Sequence, residues 1–301
     1  MTKGIPPRVI SYIKGIFANS NRIVARAMDS NPHLREEYLD QLFLSSLIGL
    51  NRIAIKVPKT SWIIRIDTHF LGSRWMWDRW EVADIGLLLT FRQGGQVRRS
   101  KVGLLQSKRL YATEINEPTS EIDINPIGFG SLFISDAEFS EESTDRNFTF
   151  TPESKYLQLK YNDHQYKAIR DYERYNRIPI YYLFYNPSEL PITVTIPAEN
   201  KSTRKLNVGC RVISADDVRG VMNQTKNSPS YQELDLDRPH LKIQDFIEDL
   251  LLCKKGHIIS LPSDEAVQRL FYQRNAPISA AISISIDGPE GLEFTETNEA
   301  Y

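Results

Sequence analysis

An α/β fold is predicted by three features of the 301-residue chain. Apolar residues recur at helical spacing between residues 30 and 50, and three runs rich in β-branched and apolar residues follow at 60–72, 81–91 and 101–111. A further helical stretch then leads into IPIYYLFYNP at 178–187, apolar enough for a strand buried on both faces. Helix, three strands, helix and strand in that order suit a mixed sheet flanked by helices.

Residues 1–29 form a basic N-terminal segment: up to residue 28 it carries Lys3, Arg8, Lys14, Arg22 and Arg26 and no acid. It reads as a basic surface helix, with an organellar transit peptide or a nucleic-acid-contacting arm as alternatives. The first core helix is expected over 30–50, with Ser30 and Asn31 as caps, Pro32 in the first turn, Leu34, Tyr38 and Leu42 on one stripe, and Gly49 as the stop. The strand run TSWIIRIDTHFLG comes next, then the tryptophan-rich connection SRWMWDRW, then EVADIGLLLTF. RQGGQ at 92–96 predicts a hairpin turn into KVGLLQSKRLY, since adjacent glycines supply positive φ. An acidic insertion at 114–153 has too little periodicity for assigned elements. Residues 156–177 predict a helix capped at Asn162 or Asp163, ahead of the 178–187 strand. The core of the fold, with that insertion inside it, is thus expected over 30–190. Residues 191–301 read as a C-terminal α/β extension of the same domain, with no repeat and no linker that would set off a second one.

A formal net charge of -1 excludes an overall polyelectrolyte, so affinity for a polyanion has to come from local charge separation. Two cysteines, Cys210 and Cys253, give no disulfide framework and point to a reducing, cytoplasmic setting. No run approaches the roughly 20 apolar residues of a membrane span, so no membrane partner is expected. GxSxG, Walker A and dinucleotide fingerprints are absent. Cys253 and His257 lack the second close pair of a zinc site.

Chemistry is expected where KVGLLQSKRLY turns polar. Alternation puts Val102, Leu104, Gln106 and Lys108 on one face and Gly103, Leu105, Ser107 and Arg109 on the other. Antiparallel pairing with the preceding strand, which opens with Glu81 and Asp84, brings Asp84 beside Gln106 and Lys108. A carboxylate, an amide oxygen and a lysine at one sheet end can hold Mg²⁺ (or Mn²⁺) and position a water for attack on phosphate. Against this, QLK at 158–160 and QTK at 224–226 show how little the tripeptide says alone. A solvated strand end is the plain alternative. Asp67 and His69, and the indoles of Trp62, Trp75, Trp77 and Trp80, are weaker candidates, for catalysis and base stacking respectively.

The order of elements, with VADIG on one strand and LLQSKR on the next, resembles the PD-(D/E)XK restriction-endonuclease-like superfamily and its αβββαβ core. The Gln-x-Lys variant is similar to the Mrr type, and QSKRLY, HQYKAI and IPIYYLFYNP look like an uncharacterised bacterial family of that superfamily. The resemblance covers residues 30–187. It implies a Mg²⁺-dependent DNA endonuclease, with a place in restriction or anti-phage defence and with a second copy or a defence-system protein as partner. Asp84 matches the metal-binding aspartate, Gln106 the position usually held by Glu or Asp, and Lys108 the lysine. An acid from the first helix is implied, with Glu37 as the candidate and Glu36 and Asp40 as competitors, and Gln165 matches a polar position facing the site. The departure is Gln106, a weaker metal ligand than a carboxylate, for which Glu81 is the compensating candidate. An inactive nucleic-acid-binding module and an RNA-directed nuclease are the alternative readings.

Charge bears on the substrate. Arg92, Arg98, Arg99, Lys101, Lys108 and Arg109 lie between Ile85 and Thr113 with no acid among them, which suits phosphate contacts, DNA first of all, or else a solvated basic hairpin. From Glu114 to Glu153 ten acids face Arg146 alone, a stretch that would screen the site or simply be a solvated loop.

Overall fold

The computed structural model describes residues 4–50, 53–58, 60–70, 82–114, 146–196, 206–259 and 278–289. Helix α1 (Pro7–Ser30) starts on a proline whose fixed φ suits the first turn, and buries Val9, Ile10, Ile13, Phe17, Val24 and Met28 on one stripe. The N-terminal segment is therefore an amphipathic helix with one face in the core. Its arginines face outward while Lys14 pairs with Asp245 at 2.9 Å and with Glu248. Ser30 closes this helix instead of capping the next one. Helix α2 (Glu36–Ser45) begins only after Arg35 and is shorter than the 30–50 stripe suggests.

Strands β1 (Ile53–Val57) and β2 (Thr60–Phe70) form a hairpin whose first arm the sequence did not announce. Strands β3 (Ala83–Gln93) and β4 (Gln96–Arg109) form the expected hairpin, with Gly94 and Gly95 at φ 59° and 80° in the turn. Two-residue loops with positive φ at both positions match the twist of the paired strands. Strand β4 is long, and every side chain from Ser100 to Arg109 is buried. Short strands β5 (Thr113–Glu114) and β6 (Arg146–Phe150) follow. The acidic run at 115–145 lies outside the described residues, and so do Glu81, Trp75, Trp77 and Trp80.

Helix α3 (His164–Asn176) is capped by Asp163, which accepts from the Tyr166 N–H at 2.8 Å, and ends on Arg177 in the left-handed region. The Ile180–Tyr185 strand, β7, is buried at all six positions, as its composition predicts, and runs parallel to β4. The remaining elements are β8 (Ile192–Ile196), β9 (Arg211–Ser214), α4 (Ala215–Thr225), α5 (Ile243–Leu251), β10 (His257–Ile259) and β11 (Ile278–Gly288).

The main sheet is mixed and runs β1-β2-β11-β3-β4-β7-β9, with β10 also paired to β4; β5, β6 and β8 make a second, smaller sheet. The three successive strands do not lie side by side. Strand β11 separates β2 from β3, antiparallel to the first and parallel to the second. Ile282, Ile284 and Ile286 are buried there, so the C-terminal part supplies a central strand and is more than an extension. Helices cover both faces. On one, Phe246 and Leu250 of α5 pack over Gly103, α5 packs on α1, and α2 meets β4. On the other, α3 and α4 are tied by Arg219 and Glu173 at 2.6 Å. Among the described residues no helix is long and apolar enough to cross a membrane.

Candidate active site

The site forms where β3 stops pairing. The ladder between β3 and β4 ends at Ile85 and Leu105, yet β4 continues to Arg109. Alternate N–H groups of β4 beyond that point face a place where no β3 carbonyl is paired with them. Buried backbone donors need acceptors, and two carboxylates supply them. The Ser107 N–H donates to Asp84 Oδ2 at 2.7 Å, and the Arg109 N–H donates to Glu36 Oε1 at 3.1 Å. Asp84 comes from the start of β3 and Glu36 from the first turn of α2, so the end of the strand is edged by acids instead of by a neighbour.

The side chains follow. Gln106 Nε2 and the Ser107 hydroxyl also donate to Asp84 Oδ2, the latter at 2.9 Å. Lys108 Nζ lies 3.4 Å from Glu36 Oε2, with 4% of its surface exposed. Ser107 Oγ is 2.7 Å from Asp40 Oδ1, which also accepts from the Tyr185 hydroxyl at 2.6 Å. Ser107 therefore stands between two carboxyl oxygens with a single hydrogen to give.

Burial raises the pKa of all three acids, because it penalises the charged form. Asp40 is pushed well above the carboxylate range by burial and next by the Asp84 charge. Asp84 is raised by burial although Lys108 and the Ser107 N–H pull it back, and Glu36 is raised by burial against the opposing charge of Lys108. Gln106 Oε1 is buried with no hydrogen-bond partner. Among the described residues no group of three or more His, Cys, Asp or Glu is arranged to hold a metal ion.

The structure thus brings together Asp84, Gln106 and Lys108, with Glu36 and Asp40 as the acids of α2 that reach them. Glu37 is exposed and touches none of the three; its charge acts on Asp84 from a distance. Gln165 sits in the first turn of α3 with no hydrogen bond to the site. His69 contacts Ser283 Oγ at 3.3 Å on β11, one strand away from β3, and Trp62 is buried.

The basic hairpin divides. Lys101 is 1% exposed and donates to the Lys255 carbonyl. Arg109 is 5% exposed, donates to the carbonyls of Pro32, at 2.7 Å, and Leu34, and stacks over Tyr111 at 4.1 Å. Both are packing residues, so neither is the surface phosphate contact that the charge count suggests. Arg99 is half-buried against Cys253 Sγ. Arg92 on β3 and Arg98 on β4 are exposed near the turn, Arg98 about 26 Å along β4 from Gln106 at ~3.3 Å per residue.

Ser107 and Tyr185 are site residues that sequence reasoning did not single out. The signal for Ser107 was a hydroxyl on the covered face of an otherwise apolar strand. Tyr185 is the parallel-register partner of Arg109 and ends a run that looked purely apolar. Comparison with protein-family models, with curated proteins and with solved structures finds no match to the chain.

Proposed function

We propose that the protein is a metal-dependent nuclease that hydrolyses DNA phosphodiester bonds, built on the restriction-endonuclease-like pattern its sequence resembles. The observation that carries this reading is the meeting of Asp84, Gln106 and Lys108 at the end of β4 that outruns β3, with Glu36 against Lys108. The donor set suits Mg²⁺ or Mn²⁺. It is made of hard oxygens, and the orphaned Gln106 Oε1 is an acceptor in need of a partner. Asp84 and Gln106 would hold the ion, with Glu36 and Asp40 nearby. When bound, such an ion supplies positive charge to a phosphate and lowers the pKa of its water.

The chain's own groups prepare the rest. The three donors on Asp84 Oδ2 fix that carboxylate's orientation, and the Arg109 N–H fixes Glu36. Lys108, held beside Glu36, orients the attacking water or stabilises charge on the phosphate. Exposed Arg92 and Arg98 offer phosphate contacts further along a duplex. Restriction or anti-phage defence is what the resemblance adds, with a second copy or a defence-system protein as partner.

The test is cleavage of DNA and RNA, side by side, with Mg²⁺ or Mn²⁺. Wild type should cleave DNA, and Lys108→Ala should lose about 10²–10⁴-fold in rate. A second reading, an inactive nucleic-acid-binding module, is favoured by one observation: Gln106 turns its nitrogen and not its oxygen to Asp84, so the two side chains are tied by a hydrogen bond in place of a shared ion. DNA binding with no cleavage by wild type would support the module and refute the nuclease.

A further inference from the structure

Helix α3 carries a row of cations on the side turned away from its buried residues, Tyr166 and Ile169. Lys167, Arg170 and Arg174, with Arg177 at the C-cap, follow one another at three- and four-residue spacing, and all four are exposed. From Lys167 to Arg177 the row covers about 15 Å at ~1.5 Å per residue, the rise of about four phosphates of one DNA strand. Tyr175 beside them is 80% exposed and adds a hydroxyl, a further phosphate donor. The acids of the segment are engaged elsewhere. Asp163 caps the helix, and Glu173 accepts from Arg219 at 2.6 Å and from the Ile180 N–H at 2.8 Å. Asp171 lies 3.1 Å from Arg170, but among the described residues Lys167, Arg174 and Arg177 make no ion pair.

Placement in the fold favours this helix as well. Tyr182 on β7 is the parallel-register partner of Gln106, so the two side chains stand on one face of the sheet with Lys108. Asp163 and Glu173 of α3 and Arg219 of α4 lie close enough for their charges to act on the buried Tyr182 hydroxyl. Helix α3 therefore covers the face from which Gln106 and Lys108 project. The other basic helix, α1, packs with α5 on the opposite face, that of Gly103. Its exposed Arg8, Arg22 and Arg26 are scattered over about 27 Å and form no comparable row.

We propose that the outer side of α3 is a docking surface for duplex DNA, with Lys167, Arg170, Arg174 and Arg177 on the phosphates of one strand. The choice of DNA rests on the nuclease reading, whereas the surface itself rests on its charge and its place over the Gln106 face. Contacts of this kind carry no sequence information, so binding is indifferent to base sequence.

The test is binding of a labelled DNA duplex of about 20 base pairs to the full chain in EDTA, read by fluorescence anisotropy between about 0.05 and 0.3 M salt. Lys167→Gln, Arg170→Gln and Arg174→Gln together replace exposed cations with a good helix former, so the helix is kept. This triple variant should bind at least about tenfold more weakly at ~0.1 M salt and lower the log–log salt slope by about 2–3, and Arg174→Gln alone should lower it by about 0.9. Arg8→Gln, Arg22→Gln and Arg26→Gln together change the net charge equally and should leave affinity and slope as in wild type. Equal losses from the two triple variants, or no loss from the α3 triple, overturn the surface even if wild type cleaves DNA. Tighter α3-dependent binding of a duplex RNA of the same length overturns DNA as the occupant. The expected binding pattern in a protein that cleaves nothing supports the surface and overturns the nuclease reading instead.

Discussion

Asp40→Asn isolates the proton that the acid cluster requires. Ser107 Oγ lies 2.7 Å from Asp40 Oδ1 and 2.9 Å from Asp84 Oδ2, but one hydroxyl hydrogen satisfies one of them. A proton on Asp40 completes the chain: Asp40 donates to Ser107, and Ser107 donates to Asp84. Burial and the Asp84 charge raise the Asp40 pKa in the same sense. An acid that holds its proton more tightly folded than unfolded contributes stability fully below the unfolded pKa of about 3.9. That contribution is lost as pH rises through the window up to the raised folded value. One extra proton in the folded state gives a slope of about -1.4 kcal/mol per pH unit inside that window. Asparagine supplies the donor at every pH and removes the slope. Urea unfolding of both proteins in EDTA, at several pH values from about 4.5 to 7.5, measures the difference, and titrating groups remote from Asp40 and Asp84 largely cancel in it. Wild type should fall behind the variant by about 1.4 kcal/mol for each pH unit in the window. Parallel stability curves, or a wild type that gains on the variant as pH rises, would refute the shared proton.

Gln106→Glu sets a second carboxylate against Asp84, so the metal-free protein should melt lower. Mg²⁺ should then stabilise it at about tenfold lower concentration than wild type, and a thermal shift without any Mg²⁺ dependence counts against a metal at this position. Arg211→Met removes a buried guanidinium that donates to the carbonyls of Asn207, Val208, Cys210 and Leu236. It should cost about 3 kcal/mol or more in denaturant unfolding, and a loss under about 1 kcal/mol would show that those carbonyls find other partners. Gly256→Ala places a Cβ 2.4 Å from Leu250 Cδ1 and 2.9 Å from the Val102 carbonyl at φ +80°. A cost of about 1–3 kcal/mol is expected, and an unchanged melting temperature would mean that the β10 turn simply shifts.

What the sequence made legible is local. The six-residue burial of β7, the Gly94-Gly95 turn and the Asp163 cap each depend on a few neighbouring residues, and each appears where the pattern put it. Period-two alternation on β4 also placed Gln106 beside Asp84. The insertion of β11 between β2 and β3 was not legible, because alternating isoleucines say that a strand is half or fully buried but not which strands flank it. Residues 7–30 did carry a readable stripe, Ile10, Ile13, Phe17 and Val24, that the basic residues obscured.

Counting charges along β4 failed for a related physical reason. A cation on a strand contacts a phosphate only if its head reaches water, and Lys101 and Arg109 are instead consumed by the carbonyls of Lys255, Pro32 and Leu34. The acids show the same dependence on distant structure. Alternation separates Ser107 and Arg109 from Gln106 and Lys108, and that much is visible in the sequence. But the N–H groups of Ser107 and Arg109 point sideways in the sheet, and their need for acceptors arises only because β3 stops pairing at Ile85. Glu36 and Asp84 are drawn to this end of the sheet by main-chain donors as well as by Lys108. A strand that outruns its neighbour thus assembles carboxylates at its own free edge, and Gln106 is the side chain there whose oxygen still lacks a partner.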